Sequence, residues 1–154
     1  MAVLAGCDSS TKGSGAPAGP SSGSATSSAP SSAPGTFGTP APPPHAADGA
    51  NVAACTDGRC EVIVKAGTAI PVPKSMDVEK VAVSAVSRSR VTFTGHDLGG
   101  SSGGGCTGRC DSSSSNGSFK IALGPDSQAT ENGLALTVEQ IAGDSAVIQV
   151  APAG

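Results

Sequence analysis

The chain contains no tryptophan, no tyrosine and only three phenylalanines among its 154 residues. Charged residues are scarce as well, at 14%, with a formal net charge of −3. Beyond residue 47 the balance is eight Lys/Arg against eleven Asp/Glu, scattered and not clustered. Nucleic-acid binding needs a basic footprint and, for single strands, stacking aromatics, so the composition argues against that partner class. No apolar run approaches the eighteen or more residues of a membrane-crossing helix. A core, if one forms, must be built from Val, Ile, Leu and Ala with Phe93 and Phe119.

What is abundant is Gly, Ser, Ala and Pro, and their distribution divides the chain. From Asp8 to Ala47 only Asp8 and Lys12 are charged, Phe37 is the only large apolar side chain, and eight of the twelve prolines fall here. Such a segment cannot bury enough apolar surface to offset the entropy of ordering its backbone, and it is expected to stay disordered. Gly/Ser stretches coil, while Pro40 and Pro42 to Pro44 favour extended polyproline II. The reach is then between about 35 Å and about 120 Å. Ser and Thr beside Pro also fit an O-glycosylated stalk.

Just before this tether stands Leu4-Ala5-Gly6-Cys7. It resembles the lipobox of bacterial lipoproteins, in which a branched apolar residue and two small ones precede the cysteine that receives diacylglyceryl. The resemblance covers four residues and implies lipidation of Cys7, a membrane partner through that lipid, and display on the extracytoplasmic face. With the Lys-poor, Ala/Ser/Gly-rich tether, the pattern looks like secreted lipoproteins of high-GC Gram-positive bacteria. A signal peptide needs a positive n-region and an apolar run of about 7 to 15 residues. Only Met1, Ala2 and Val3 precede the box, so residues 1–6 are expected to be a signal-peptide remnant and residues 7–47 the lipidated cysteine with its tether.

Residues 48–154 are near the usual size of one domain and bury about 60 to 65% of their unfolded surface. Glu61 to Lys65 is β-branched and follows the turn-like Thr56-Asp57-Gly58-Arg59, which predicts a strand. Ala69 to Val72 is confined to an edge or bend by Pro71 and Pro73. Val78 to Val86 alternates at Val81, Val83 and Ala85 and slips at Val86, predicting a bulge near its end. Arg90 to Thr94 and Ser118 to Leu123 alternate with Val91, Phe93, Phe119, Ile121 and Leu123 inward. Leu134, Leu136 and Val138 open another strand, and Ala146 to Val150 closes the domain. Between them Gly143-Asp144 carries the signature of a type II′ hairpin turn. Helix signals are nearly absent, so the fold class is all-β, a small antiparallel sandwich or barrel of six or seven strands. Immunoglobulin topology does not follow, because the Trp that packs behind its disulfide is missing.

Residues 95–117 are polar and Gly/Ser-rich, and are expected to be a long loop, disordered outside its cysteines. Four cysteines remain after Cys7, in the units CTDGRC and CTGRC. In an exported chain they read as disulfides, with three possible pairings. The local one, Cys55 with Cys60 and Cys106 with Cys110, is preferred because each pair brackets a Gly-containing turn. Cross-pairing and a four-thiolate zinc site are the alternatives.

Chemical motifs match by letter and fail by context. Gly99 to Gly103 satisfies GxSxG, but a nucleophile elbow needs a helix after it and acid and His partners. Gly103, Gly105 and Gly108 satisfy GxGxxG, with no helix N-terminus to hold a pyrophosphate. His96-Asp97 reads as an exposed loop pair, although a half metal site or catalytic dyad is the sharper reading. Asn116-Gly117-Ser118 fits a sequon or an ordinary turn. Ser87-Arg88-Ser89-Arg90 reads as a solvated turn, and Asp126, Glu131, Glu139 and Asp144 as dispersed acids. No catalytic residue, cofactor-binding residue or metal ligand is therefore assigned. The functional expectation is a lipid-anchored, non-catalytic binding or interaction module with wall or envelope-protein partners. A structural or assembly role is the alternative, and a wall- or ester-directed hydrolase acting through His96 a more distant one.

Overall fold

The computed structural model describes residues 42–100 and 103–154. Cys7 and most of the expected tether lie outside the described residues. Nine strands run in chain order as β1 (Cys60–Lys65), β2 (Val78–Val86), β3 (Val91–Asp97), β4 (Gly104–Thr107), β5 (Cys110–Ser115), β6 (Ser118–Leu123), β7 (Ser127–Glu131), β8 (Leu134–Ala142) and β9 (Ser145–Pro152). Two short 3-10 turns, Val52–Asp57 and Lys74–Met76, are added. All pairings are antiparallel. A five-stranded sheet has the order β1-β9-β8-β7-β4, and a four-stranded sheet the order β2-β3-β6-β5. The two share one core, in which Val62, Val64, Leu134, Leu136 and Ile148 of the first meet Val81, Val83, Phe93, Ile121 and Leu123 of the second.

This is the expected all-β sandwich, with more strands than the six or seven anticipated. The aliphatic strands fall where the alternation placed them. In β2 the slip is real, and it moves one residue. Val83 pairs with Phe93 and Ala85 with Thr92, which leaves Ser84 unmatched. The bulge reverses the phase, so Ala85 is exposed and Val86 is half-buried against the core. A second irregularity between Glu79 and Ala82, with Lys80 at φ 54°, lets both Val78 and Val81 face inward.

Residues 95–117 correct the expectation of a long disordered loop. β3 continues to Asp97, and Gly104–Thr107 and Cys110–Ser115 are strands at the edges of the two sheets. Their order comes from pairing and not from side-chain propensity. β4 pairs with β7 from Gly104↔Glu131 to Thr107↔Gln128, and β5 with β6 along its whole length. Asn116 (φ 50°) and Gly117 (φ 70°) join β5 to β6 as the two-residue turn that matches strand twist. At the other hairpin Gly143 has φ 63° and connects Ala142 to Ser145, as the type II′ reading requires.

The tether boundary also moves. Ala46 is buried. The Ala47 amide donates to Glu61 Oε1 at 2.9 Å, the Asp48 amide to the Glu61 carbonyl at 3.0 Å, and the Ile63 amide to the Gly49 carbonyl. These bonds cover the free edge of β1, which would otherwise present unpaired amides to other chains.

Candidate functional site

Both disulfides pair locally. Cys55–Cys60 has a Cα separation of 4.9 Å and Cys106–Cys110 one of 6.1 Å. The sulfurs are thereby consumed in pairs, which removes the cross-pairing and the four-thiolate zinc site. Cys55 is 0% and Cys60 7% exposed, so this bridge is part of the core and ties the first 3-10 turn to β1. The other bridge is half-buried and joins the edge of one sheet to the edge of the other. Only Gly108 and Arg109 separate β4 from β5. Gly108 has φ 83°, and a Cβ there would stand 2.6 Å from Ser127 Oγ. The Arg109 amide donates to that oxygen at 2.8 Å, and the Gly124 amide to the Arg109 carbonyl at 2.8 Å.

Holding β5 in this way builds one wall of a groove on the outer face of the four-stranded sheet. Its volume is about 400 Å³, and it is lined by Arg90, Thr92, Asp111, Ser112, Ser113, Lys120 and Ala122. Strand register explains the lining: Asp111, Ala122 and Thr92 form one row across β5, β6 and β3, and Ser113, Lys120 and Thr94 the next. Ala122 keeps the floor low. Arg90 Nη1 donates to Asp111 Oδ2, closing one end, whereas the exposed Lys120 enters none of the ion pairs among the described residues. The groove therefore offers hydroxyls, one ion pair and one ammonium, a set suited to polar, hydroxyl-bearing or anionic groups. A smaller hollow of about 270 Å³ lies beside the Cys106–Cys110 bridge, lined by Gly105, Thr107, Gln128 and Thr130.

The remaining sequence motifs resolve individually. Gly99 and Gly100 follow β3, residues 101–102 of the GxSxG match lie outside the described residues, and Gly103, Gly105 and Gly108 of the other match lead into β4 and its turn. Neither match opens a helix. Arg88 and Arg90 sit in and after a turn closed by the Ser87 amide on the Arg90 carbonyl. His96 is exposed but is not a loop residue; it faces Ser118 across β3 and β6, its Nδ1 3.1 Å from Ser118 Oγ, and its partner on β2 is Glu79. That juxtaposition was not legible without register.

Asp97 departs most from expectation. It is 8% exposed and continues the inward column Val91, Phe93, Gly95 of β3. Glu131, 4% exposed, ends the inward column Ser127, Ala129 of β7 on the opposite sheet. Asn132 donates from Nδ2 to Asp97 Oδ1 at 3.0 Å, and its Oδ1 accepts from the Gly103 amide at 3.2 Å. Burial, and after it the nearby Asp97 charge, raise the Glu131 carboxyl above the ordinary carboxylate range. Glu139 is also raised, by burial and then by Glu61 and Asp126. Asp144 is lowered by its hydrogen bond from Lys65 and by Ser145.

Comparison with protein-family models, with curated proteins and with solved structures finds no match for this chain.

Proposed function

We propose that this chain is a cell-envelope lipoprotein whose Cys7 carries lipid and whose β domain is a non-catalytic binding module on the extracytoplasmic face of the membrane. The anchor reading rests on Leu4-Ala5-Gly6-Cys7 and the Ser/Pro/Gly/Ala-rich stretch after it. The binding reading rests on one observation, the hydroxyl-lined groove whose wall is fixed by a bridge between sheet edges. Loops and edges on a rigid β scaffold are the usual carriers of recognition. Tethering to the membrane raises the local concentration of such a module for wall polymers or envelope proteins. The two disulfides suit an oxidising compartment.

The test is co-sedimentation of the oxidised full chain with insoluble cell-wall material. Lys120→Glu and Ser113→Leu alter the groove, and Gln149→Glu, on the outer face of the other sheet, is the control. Retention by wild type and by the control, with a loss of about tenfold or more in the groove variants, supports the reading. Retention that ignores the groove variants sinks it and leaves the structural or assembly role, in which contact is spread over other surfaces.

A second reading is favoured by the His96–Ser118 contact, since a hydrolase needs a serine within reach of a histidine. The pair lies on an open sheet face, with Glu79 opposite His96 but engaged at 3.7 Å by Lys80. Ester turnover that disappears in both His96→Ala and Ser118→Ala would establish it.

A further inference from the structure

The geometry points to Asp97 and Glu131 as the two anionic ligands of an oxygen-coordinated divalent-cation site, of the calcium class, between the two sheets. Both carboxylates stand at inward-facing positions that the alternation of their strands otherwise gives to Val91, Phe93 and Ala129. Each leaves one buried oxygen, Asp97 Oδ2 and Glu131 Oε1, without a hydrogen-bond partner among the described residues. None of the ion pairs among those residues involves either side chain. A buried, uncompensated pair of like charges is costly, and it persists only where something neutralises it.

The surroundings favour a hard cation. All four domain cysteines are in disulfides, and among the described residues no His joins the two acids in a ligand group. Asn132 Nδ2 is shared between Asp97 Oδ1 and the Asp77 carbonyl, which holds the Asp97 carboxylate in place and leaves its Oδ2 for the ion. Gly104 is the register partner of Glu131, and a Cβ there would collide first with the Thr130 carbonyl and would also stand 3.1 Å from Glu131 Oε2. Two carboxylates without a fixed octahedral frame suit Ca²⁺, which accepts irregular oxygen ligation, whereas Mg²⁺ demands a tighter octahedron. Two formal negative charges balance one divalent ion.

The experiment is calorimetric or far-ultraviolet unfolding of the oxidised full chain, because the protein lacks Trp and Tyr fluorescence. Calcium chloride at about 10 mM is compared with chelator and with NaCl of matched ionic strength. Wild type should gain about 5 °C or more in Tm with calcium and clearly less with magnesium. Asp97→Asn and Glu131→Gln should each fold, be no less stable than chelated wild type, and lose the calcium gain. In wild type alone, calcium should shift the NMR signals of the Asn132 side-chain amide and of Leu98 and Gly104 before others. A calcium gain that survives both substitutions would place the ion elsewhere and overturn the assignment. Absence of any calcium effect at neutral pH would equally overturn it, leaving a shared proton as the neutralising group.

Discussion

The ring of Phe119 lies directly over Gly95: a Cβ on Gly95 would stand 2.3 Å from Phe119 Cζ. The two residues are register partners on β3 and β6, and the missing side chain is what lets the ring lie flat in the core. Gly95→Ala should therefore cost about 1–3 kcal/mol, an overpacking penalty with no contribution from backbone strain. Urea unfolding followed by circular dichroism measures it, and Phe119→Leu in the Gly95→Ala background should recover part of the loss.

Gly143 is required for a different reason. Its φ is 63°, and nothing lies within 4 Å of where a Cβ would be. Gly143→Ala should cost about 1 kcal/mol through the left-handed backbone alone. Gly143→Asn, which tolerates that region better, should recover part of it.

The two disulfides should separate under reductant. Closing loops of this length limits each bridge to about 2 kcal/mol of unfolded-state entropy. Cys55–Cys60 is buried in the core, and its removal also takes packing with it. Converting Cys55 and Cys60 together to Ala should thus cost about 3–5 kcal/mol, and the Cys106 and Cys110 pair about 2 kcal/mol or less. Partial reduction with alkylation and peptide mapping should find Cys106 and Cys110 modified first.

Stability should depend on pH in two opposite ways. The folded state raises the Glu131 carboxyl above its ordinary value of 4.5, so in chelator it binds a proton before the unfolded chain does. Stability should rise as pH falls from neutral through that raised value, and level off below 4.5. The Asp144 carboxyl is lowered from 3.8, so its contribution is present above that value and fades as pH falls through the folded one. Tm against pH in wild type and Glu131→Gln checks the first effect, which the substitution should reduce to the part that the raised Glu139 carboxyl leaves.

How far the sequence discloses this molecule depends on what makes each strand a strand. Glu61 to Lys65, Arg90 to Thr94 and Ser118 to Leu123 announce themselves because burial on one face demands apolar alternation. GGCT, CDSSSS and SQATE carry almost no such signal. They are strands because a disulfide and hairpin partners hold them to neighbours, a tertiary effect that overrides local propensity. Asn132-Gly133 between β7 and β8 was the available clue, since that dipeptide marks a two-residue hairpin and hence a strand before it. The same failure hid the acidic pair. The apolar alternation of β3 stops at Thr94, three residues short of Asp97, and β7 has too little of it to set Glu131 apart from the other dispersed acids. The groove was equally illegible, because its rows are set by cross-strand register and not by neighbours in the chain.

The anchored-module reading stands or falls on Cys7, and intact mass with peptide mapping of protein taken from the native membrane fraction tests it most directly. A mature chain beginning at Cys7 with a diacylglyceryl adduct, and with all four other cysteines in disulfides, is the expected result. A soluble chain with an unmodified Cys7 and free thiols would contradict it.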